Sequence, residues 1–498
     1  MNPSIASLVY ACGIAGLFYL DRDKSVRTSK ALWLPVVYLW IIGSRPISAW
    51  LGISPAYGTN VQLEGSPIDA TFFAVLMVAA ISVLAYRGRR IAAFITTKFP
   101  APIFIYFLYC LVSVCWSDYP GPALKKWIKA TGDLMMILIV LTDEQPVAAL
   151  RRLFSRAGFI LLPASVLFIK YYPNLGRSYE EWSGMQMANG VTPDKNVLGV
   201  VTFVLSLGAV WRVIGLFQSD KNLPDRRRHL LAQGALLAIG IWLLMNANSV
   251  TSSVSFALGA GLLLATSLRF LRRNPAALHV LVLLLALSAG LLMLLGGGAS
   301  AARALGRSAT LTGRTDIWGA VIPMVPNRLV GAGFESFWLN PSVHDRLAAL
   351  FPGLPLNEAH NGYIDAYLNL GFLGLGLIAL ILVDGYRRSV KAFRREPALG
   401  GLLLAFTLAA TIYNFTEAGF RMMNPNWIFF LLAVIEASYI AGATVGASPP
   451  SDAPSYRDPV LAARRHLDMK PSRRTMAGRI VRRQETRSSA TATRRGTT

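Results

Sequence analysis

Two residues in the segment from Gly313 to Gly374 have side chains that could do chemistry together. Gly-Arg-Thr-Asp-Ile-Trp places Arg314 in a long polar loop, and Ala-His-Asn-Gly-Tyr places His360 where an apolar helix starts. Arginine binds anions through a planar fork of donors, and histidine is the side chain best suited to take up a proton near neutral pH. The pair predicts an anion clamp and a general base at one site.

Membrane-spanning helices are the elements that must position these residues. Apolar residues make up 54% of the 498-residue chain, and they occur in runs of roughly 18 to 24 residues, long enough to cross a bilayer as a helix. In hydrocarbon such runs satisfy their backbone groups only as helices, so we predict an all-α polytopic membrane protein of about thirteen transmembrane helices. The predicted spans are 4–20, 31–51, 69–86, 101–116, 127–142, 155–171, 196–217, 229–247, 251–270, 277–297, 362–385, 399–416 and 425–444.

Basic residues set the predicted orientation. Short connections rich in Lys and Arg, such as 87–98 and 226–228, are expected to face the cytoplasm. Alternation of the spans then places the N-terminus outside, the C-terminus inside, and the loops 53–68, 172–195 and 298–360 on the outer side. The net charge of +23 is spread over short loops beside apolar spans, so it indicates topology, and nucleic acid is not an expected partner.

The three cysteines point to no disulfide or metal site. Cys12, Cys110 and Cys115 fall inside apolar spans and show no metal-ligand spacing. Residues 1–446 are predicted to form the transmembrane domain. From residue 447 the chain is rich in Pro, Arg, Ser and Thr, which cannot bury a core. Residues 447–498 are therefore predicted to be a disordered basic cytoplasmic tail, which lies on anionic lipid headgroups or binds a regulatory partner.

Several cationic residues lie on the predicted outer side, against the usual bias. Charges within or beside spans are costly and usually face a bundle interior or a water-filled cavity. Such a cluster suits an anionic diphosphate, although any one of these residues could equally anchor a helix end at the headgroups. Lys195 and Asn196 lie in the first turn of a predicted span, where backbone N–H groups also favour an anion. The candidate anion-binding residues are Arg45, Lys125, Lys126, Lys129, Lys195 and Asn196.

Four short motifs follow one another in the second half of the chain: Gly313-Arg314-x-x-x-Trp318, Gly331-x-Gly333-Phe334, His360-Asn361-x-Tyr363 and Gly371-x-x-Gly374. Their order resembles the O-antigen ligase and polymerase superfamily of the Wzy type. Trp33-Leu34-Pro35, the stretch from Ser44 to Trp50, Trp116 to Pro120 with Lys126, Lys195-Asn196 and Asn414 to Glu417 are similar to its exopolysaccharide polymerase branch, the succinoglycan polymerase type. The resemblance covers residues 30 to 440 and is most specific from 313 to 374.

The resemblance implies a glycosyltransferase fold of the GT-C type with a large periplasmic loop, at about residues 298–360. It implies metal-independent, inverting transfer of a glycan from undecaprenyl diphosphate to an acceptor hydroxyl, with no cofactor. By motif match, His360 would be the base and Arg314 a diphosphate contact. The other candidate substrate-binding residues are Trp318, Asn361, Glu417 and Arg421.

The predicted function is therefore polymerisation of an exopolysaccharide at the periplasmic face of a bacterial inner membrane. Expected partners are an undecaprenyl-diphosphate-linked oligosaccharide, the growing polysaccharide and membrane lipid. Proteins that regulate chain length and proteins that export the polysaccharide are further expected partners, which only the resemblance implies. Three alternatives stay open: a ligase that moves a finished glycan to a lipid or protein, a polysaccharide transporter or flippase, and a non-catalytic scaffold. A transporter often shows two related halves, and this sequence shows no internal duplication.

Structural roles are also open for the residues around this site. His360 could cap the helix that follows it, and Asp365 could orient His360. Glu417 and Arg421 are expected to pair with one another, Glu358 is expected to be a solvated loop charge, and Asp133 is expected to neutralise Lys129. Close helix packing is the expected role of Gly371-x-x-Gly374-x-Gly376.

Overall fold

The protein is an all-α polytopic membrane protein, as the apolar runs predict. A computed structural model describes residues 2–23, 26–53, 65–179, 186–219, 225–294, 311–354 and 356–442. In this part of the chain, eight helices are long and apolar enough to cross a membrane, and up to nine if the bent pair Gly88–Thr96 and Ala101–Trp116 is one span. The predicted tail 447–498 lies outside the described residues.

The first half of the described chain consists of helices and one short hairpin. Prolines such as Pro67, Pro120 and Pro146 begin several of the helices, where the missing N–H would have had no intrahelical partner. After the last of these helices, strands β1 Arg177–Tyr179 and β2 Gln186–Ala188 pair antiparallel. The helices are α1 Pro3–Leu20, α2 Trp33–Ile42, α3 Ile47–Trp50, α4 Pro67–Tyr86, α5 Gly88–Lys98, α6 Ala101–Val112, α7 Pro120–Leu141, α8 Pro146–Tyr171 and α9 Pro173–Gly176.

The second half contains the helices that carry the candidate site. Asp194 caps the first of them, because its carboxylate accepts hydrogen bonds from the backbone N–H groups of Asn196 (2.8 Å) and Val197 (2.9 Å). The helices are α10 Lys195–Gln218, α11 Arg226–Ala247, α12 Val250–Ser267, α13 Arg269–Arg273, α14 Pro275–Leu294, α15 Leu311–Val321, α16 Pro341–Leu350, α17 Gly362–Arg395, α18 Pro397–Tyr413 and α19 Pro425–Gly442.

Every predicted span falls on a helix or a pair of helices, but the predicted number of thirteen spans is not confirmed. The apolar helices at Lys30–Ile42, Pro275–Gly290 and Pro397–Tyr413 are shorter than a span. The predicted range 31–51 is divided between α2 and α3, because the chain turns at Ser44 and Pro46. Hydropathy thus located the helices correctly, and the number that cross the membrane stays a prediction.

The helices differ in how deeply they lie in the bundle. α19 is at the centre, with 83% of its most apolar stretch buried, whereas the corresponding value for α1 and α4 is 11%. Phe154, Phe406 and Phe429 stack in the core with ring centroids 5.0 to 5.9 Å apart. α17 and α18, which flank the candidate site, both pack against this central helix.

α17 is interrupted at Gly371, whose φ of +64° lies in the left-handed region. A Cβ there would lie 2.3 Å from the backbone carbonyl of Leu329, so only glycine fits. The expectation of close helix packing is wrong for this residue, because Gly371 breaks the helix. It does not apply to Gly376 either, where an added Cβ would meet nothing within 4 Å.

Residues 328–333 form hydrogen bonds with the backbone groups that the break in α17 leaves without intrahelical partners. The N–H groups of Phe372 and Leu373 donate to the carbonyls of residues 328 and 329 at 2.9 and 3.1 Å. Those of Ala332 and Gly333 donate to the carbonyls of residues 368 and 369 at 3.0 and 2.8 Å. The predicted outer loop is thus anchored to α17, and the irregular backbone at the break keeps its hydrogen bonds.

The predicted outer loop is folded from residue 311 onward. α15 and α16 pack over the start of α17 through a cluster that includes Ile317, Val343, Leu347 and Leu368. Residues 295–310 lie outside the described residues. The folded part of the loop therefore forms one wall of the candidate site.

Candidate active site

α17 begins at the site, and Asn361 is the residue that caps it. The Asn361 side-chain oxygen accepts from the N–H groups of Tyr363 (3.0 Å) and Ile364 (3.1 Å), and its amide donates to the Phe415 carbonyl at 3.1 Å. His360 precedes the cap with a φ of +47°, which is uncommon for a non-glycine residue. The capping role considered for His360 is therefore wrong.

The His360 ring lies between two carboxylates. Its Nδ1 is 2.7 Å from Glu358 Oε1 and 3.5 Å from Glu417 Oε2. Burial by itself lowers the pKa of His360, but the contacts with Glu358 and Glu417 outweigh it and raise the pKa to about 10. The imidazole is therefore positively charged at neutral pH in this arrangement.

Arg314 meets the same carboxylate from the other side. Its Nη2 lies 3.1 Å from Glu417 Oε1, and its Nη1 donates to the Thr416 carbonyl. The Glu417 side chain is only 5% exposed, so this pairing is poorly screened by solvent. Arg314 and His360, which lie on different segments of the predicted outer loop, are thus joined through Glu417.

Arg421 extends the cluster through Glu358. Its Nη1 is 3.1 Å from Glu358 Oε2, and its Nη2 is 3.5 Å from Glu335 Oε2. Burial raises the pKa of Glu358, but its hydrogen bond with His360 and the charges of His360, Arg421 and Arg314 outweigh it and leave the pKa below its usual value. The charge of Glu335 raises the pKa of Arg421. Burial lowers this pKa, and the charge of Glu358 raises it further, so that the net shift is upward. We call Arg314, Glu358, His360, Glu417 and Arg421 the charge network.

Two expectations about these residues are wrong. Glu417 does not pair with Arg421, because Arg314 and His360 take Glu417 while Arg421 pairs with Glu358 and Glu335. Glu358 is not a solvated loop charge, since its side chain is 20% exposed and contacts two cations.

Glu358, His360 and Glu417 could hold a metal ion by distance alone, because their ligand atoms lie within 4.8 Å of one another. Their oxygens already have other partners. Glu417 Oε1 faces Arg314, Glu358 Oε2 faces Arg421, and the remaining oxygen of each carboxylate faces His360. A metal would have to displace these ion pairs, so the donor set fits a charge-paired site better than a metal centre.

Other predicted site residues join the network or its supporting loop. Asn196 donates to Glu417 Oε2 at 3.3 Å. Lys126 donates to the backbone carbonyl of Glu335 at 2.7 Å, and Trp318 Nε1 donates to the carbonyl of Ala359 at 2.8 Å. These three residues come from α7, α10 and α15, so the site draws on widely separated parts of the chain.

The remaining predicted cations contact other parts of the protein or solvent. The Arg45 guanidinium donates to the Leu175 carbonyl and lies 5.4 Å from the Trp50 ring. Lys129 lies 5.9 Å from the Phe73 ring, Lys125 is exposed, and Lys195 is half-buried at the start of α10.

Asp133 and Asp365 have structural partners. Asp133 accepts from Tyr38 Oη (2.7 Å) and the Met423 N–H (3.0 Å), so the expectation that it neutralises Lys129 is wrong. Asp365 accepts from Trp338 Nε1 (2.9 Å) and the Ala359 N–H (3.1 Å). It thereby positions the loop that carries His360.

The sequence did not identify Glu335 as a site residue, and it indicated a solvated loop charge at Glu358, which in the structure is part of the charge network. Glu335, His360 and Met423 all have positive φ, at 52°, 47° and 58°. Strained non-glycine residues cluster at functional sites. One sequence signal was available, because Glu335 directly follows the Gly331-x-Gly333-Phe334 motif.

Comparison with known proteins relates part of the chain to a known family. Residues 235–379 match the family described as O-Antigen ligase, a range that includes Arg314, Glu335, His360 and the break at Gly371. "Exopolysaccharide production protein ExoQ" of Rhizobium meliloti (strain 1021) is 26% identical over 323 residues, which is 62% of this chain and 70% of that protein. The resemblance that the motif order indicated is confirmed: part of the chain matches the O-antigen ligase family, and an exopolysaccharide production protein is among the proteins that the chain is similar to.

Proposed function

We propose that the protein polymerises an exopolysaccharide at the periplasmic face of a bacterial inner membrane. It would transfer glycan repeat units from undecaprenyl diphosphate to a sugar hydroxyl of the acceptor chain. The observation that carries this proposal is the meeting of Arg314 and His360 on Glu417. Glycosyl transfer from a lipid diphosphate needs a cation for the departing diphosphate and a base for the hydroxyl.

In the proposed reaction, the acceptor oxygen attacks the anomeric carbon from the face opposite the diphosphate, so the configuration inverts. The bond from that carbon to the diphosphate oxygen breaks, and the hydroxyl proton passes to Nε2 of His360. Glu358, at 2.7 Å from Nδ1, holds the ring and stabilises the imidazolium that forms, as a carboxylate does in a catalytic triad. Because the pKa of His360 is about 10, only a small fraction of the ring is neutral at pH 7, and the reaction depends on that fraction.

Arg314 is the proposed contact of the departing diphosphate. Its guanidinium now pairs with Glu417, so a diphosphate would compete with that carboxylate for the same donors. Arg45, Lys125, Lys129 and Lys195 are proposed to add to donor binding from the outer side. The reaction needs no metal in this scheme, because Arg314 supplies positive charge to the departing diphosphate and His360 takes up the hydroxyl proton.

A ligase is the second candidate, because the matched family is described as O-Antigen ligase. A ligase and a polymerase share the donor and the chemistry and differ in the acceptor. The name of the Rhizobium relative, an exopolysaccharide production protein, favours the polymerase.

The direct test supplies purified protein in lipid nanodiscs with undecaprenyl-diphosphate-linked repeat units and separates the products by gel. A ladder of carrier-linked chains is expected, and the same ladder in the presence of EDTA. Product only after addition of a separate lipid or protein acceptor would instead identify a ligase. A ladder that disappears with EDTA and returns with a divalent cation would contradict metal independence.

A further inference from the structure

On the predicted cytoplasmic side of the bundle, α2 and α8 pack together around Arg156. The guanidinium carbon of Arg156 lies 4.4 Å from the centre of the Trp33 ring. Its backbone carbonyl accepts from Trp40 Nε1 at 3.2 Å, and the Trp33 and Trp40 rings meet edge to face at 5.9 Å. Two tryptophans of α2 therefore flank one arginine of α8.

The charge of Arg156 has no anionic partner in the part of the chain that the structure describes. Its Nη1 is buried and has no hydrogen-bond partner there. The Trp33 ring attracts the cation but offers no oxygen to accept from the N–H groups. Because a buried charge without a partner is costly, an anion from outside the protein is favoured at this position.

Two buried carboxylates on this side of the bundle already have partners of their own. Asp143, which follows α7, lies 3.6 Å from Arg87 Nη2. Asp21, which follows α1, lies 2.8 Å from Arg212 Nη1. The Asp143 and Asp21 side chains are 0% and 8% exposed, so neither is free to turn toward Arg156.

Neighbouring residues add positive charge around Arg156. Arg152 lies one helical turn before it and shares its face of α8. The Arg152 guanidinium donates to Thr28 Oγ1 at 2.6 Å and to a backbone carbonyl at 3.0 Å, which are neutral acceptors that leave its charge uncancelled. Lys30 is exposed in a 3₁₀ turn three residues before Trp33, so it lies on the same side as that ring.

The position of this cluster suits a lipid headgroup. Trp33 is 42% exposed, and it lies near the cytoplasmic end of the predicted span 31–51. Arg156 lies at the same end of the predicted span 155–171. Tryptophan is enriched at the level of the headgroups, and basic pockets between helices on this side of a membrane bind anionic headgroups. Arginine also matches the geometry of a phosphate through two parallel hydrogen bonds.

We propose that Arg156 binds the phosphate of an anionic phospholipid between α2 and α8, beside the exposed Trp33 ring. The lipid supplies the counter-charge that the described protein lacks and holds the two helices together. This site lies on the predicted cytoplasmic side, away from the charge network, and it does not depend on the proposed function.

The first test uses native mass spectrometry of the full chain in neutral detergent to measure the dissociation constants of phosphatidylglycerol and phosphatidylcholine. We expect the native protein to prefer phosphatidylglycerol. Arg156→Gln removes the charge and should raise its dissociation constant about 10- to 100-fold, the usual effect of losing hydrogen bonds to a charged group. Arg394→Gln, at an exposed position near the end of α17, is the matched control and should bind as the native protein does.

A second variant supplies the missing anion from the protein itself. Trp33→Glu places a carboxylate where the ring now contacts Arg156, so it should pair with the guanidinium and weaken phosphatidylglycerol binding by a similar factor. Tyr86→Glu adds the same charge at the exposed end of α4 and should bind normally. Because Trp33 is exposed, this variant keeps the proposal testable if Arg156→Gln fails to fold.

Thermal unfolding identifies the source of the phosphate. A ligand that binds only the folded state raises the unfolding midpoint, so phosphatidylglycerol should raise that of the native protein and leave those of Arg156→Gln and Trp33→Glu unchanged. Equal binding of the two lipids by the native protein, or native-like binding by both variants, would overturn the proposal. Inorganic phosphate that stabilises the native protein as much as phosphatidylglycerol does would indicate a site for a free anion and overturn the lipid assignment.

Discussion

His360 is coupled through Glu417 to Arg314 and through Glu358 to Arg421. A substitution at any of these positions leaves a charged partner unpaired in a poorly hydrated setting. Removing one partner of a buried pair generally costs more than the pair itself contributes. Loss of activity and loss of folding must therefore be measured together in variants of this network.

His360→Ala and Arg314→Ala are each expected to abolish detectable polymer. General bases contribute roughly 10²- to 10⁴-fold to a rate, and Arg314 is the proposed contact of the leaving group. The measurement is polymer yield in cells lacking the native gene, with membrane-inserted protein quantified by immunoblot. Arg346→Ala, at an exposed position of α16, is the control and should give normal polymer. Full-length polymer from either site variant would remove that residue from the mechanism.

The pH dependence of activity tests the role of His360 directly. A base with a pKa of about 10 is mostly protonated at neutral pH, so the initial rate should rise with pH about tenfold per unit and level off near pH 10. The measurement is the initial rate of donor consumption between pH 6 and pH 10.5, at pH values where a stability control shows folded protein. A flat profile that falls above pH 10 would assign the imidazolium, and not the base form, to the reaction.

The same protonation of His360 should also affect stability, which should fall as pH rises, whereas activity should increase. The pKa of His360 is raised from 6.5 to about 10, so the native state holds this proton more tightly than the unfolded chain. The stabilisation from the pair is complete below pH 6.5 and is lost as pH rises through 10. His360→Gln should therefore lower the thermal unfolding midpoint at pH 6 more than at pH 10.5. An equal loss at both values would contradict a charged His360 in the folded protein.

The sequence analysis named four of the five residues of this network, all except Glu358. Arg314, His360 and Glu417 could be predicted because each falls in a short motif whose order is characteristic. Glu358 and Glu335 could not, because a carboxylate in a polar loop has no pattern that separates a buried partner from a solvated charge. What places them is backbone geometry, namely the positive φ at Glu335 and at His360.

At the scale of elements, the connection between α18 and α19 contributes several backbone groups and side chains to the site. It supplies the Thr416 carbonyl to Arg314, the Phe415 carbonyl to Asn361, and the side chains of Glu417 and Arg421. The Gly362 N–H at the start of α17 also donates to the Glu417 carbonyl at 3.1 Å. The matched family range ends at residue 379, so this connection lies beyond it.

The break in α17 gives a prediction about folding. Gly371→Ala should lower stability, because strained φ values cost about 1–3 kcal/mol and the new Cβ would overlap the Leu329 carbonyl at 2.3 Å. Gly376→Ala on the same helix is the matched control, since nothing lies within 4 Å of its added Cβ. Helix propensity should make that control equal or more stable. The measurement is the apparent unfolding midpoint in detergent, and equal midpoints for the two variants would contradict the role assigned to the break.

Hydropathy could not reveal this break. Residues 370–383 are apolar throughout, so hydropathy indicates a span that continues through Gly371. The interruption depends on Arg328–Gly333, a segment distant in sequence that pairs with both helix halves. Tertiary hydrogen bonding of this kind leaves no local signal beyond the glycine itself.

At the scale of the whole molecule, the orientation in the membrane is open to a simple test. A protein with Cys12, Cys110 and Cys115 replaced by alanine can carry a single new cysteine. A membrane-impermeant thiol reagent added to spheroplasts should label Arg346→Cys, in the outer loop, and should not label Arg387→Cys, in a predicted cytoplasmic connection. Both should react after permeabilisation. The reverse pattern would place the charge network at the cytoplasmic face and exclude a periplasmic reaction.

The charge network combines carboxylates and cations in nearly equal number and keeps most of them away from water. Ionic strength should therefore act unevenly on this enzyme. Added salt weakens attraction between exposed charges far more than between buried ones. Capture of an anionic donor by exposed groups such as Lys125 should fail first as salt rises, while the arrangement of Glu417 with its partners persists. The protein would lose donor affinity in concentrated brine well before it loses its catalytic geometry.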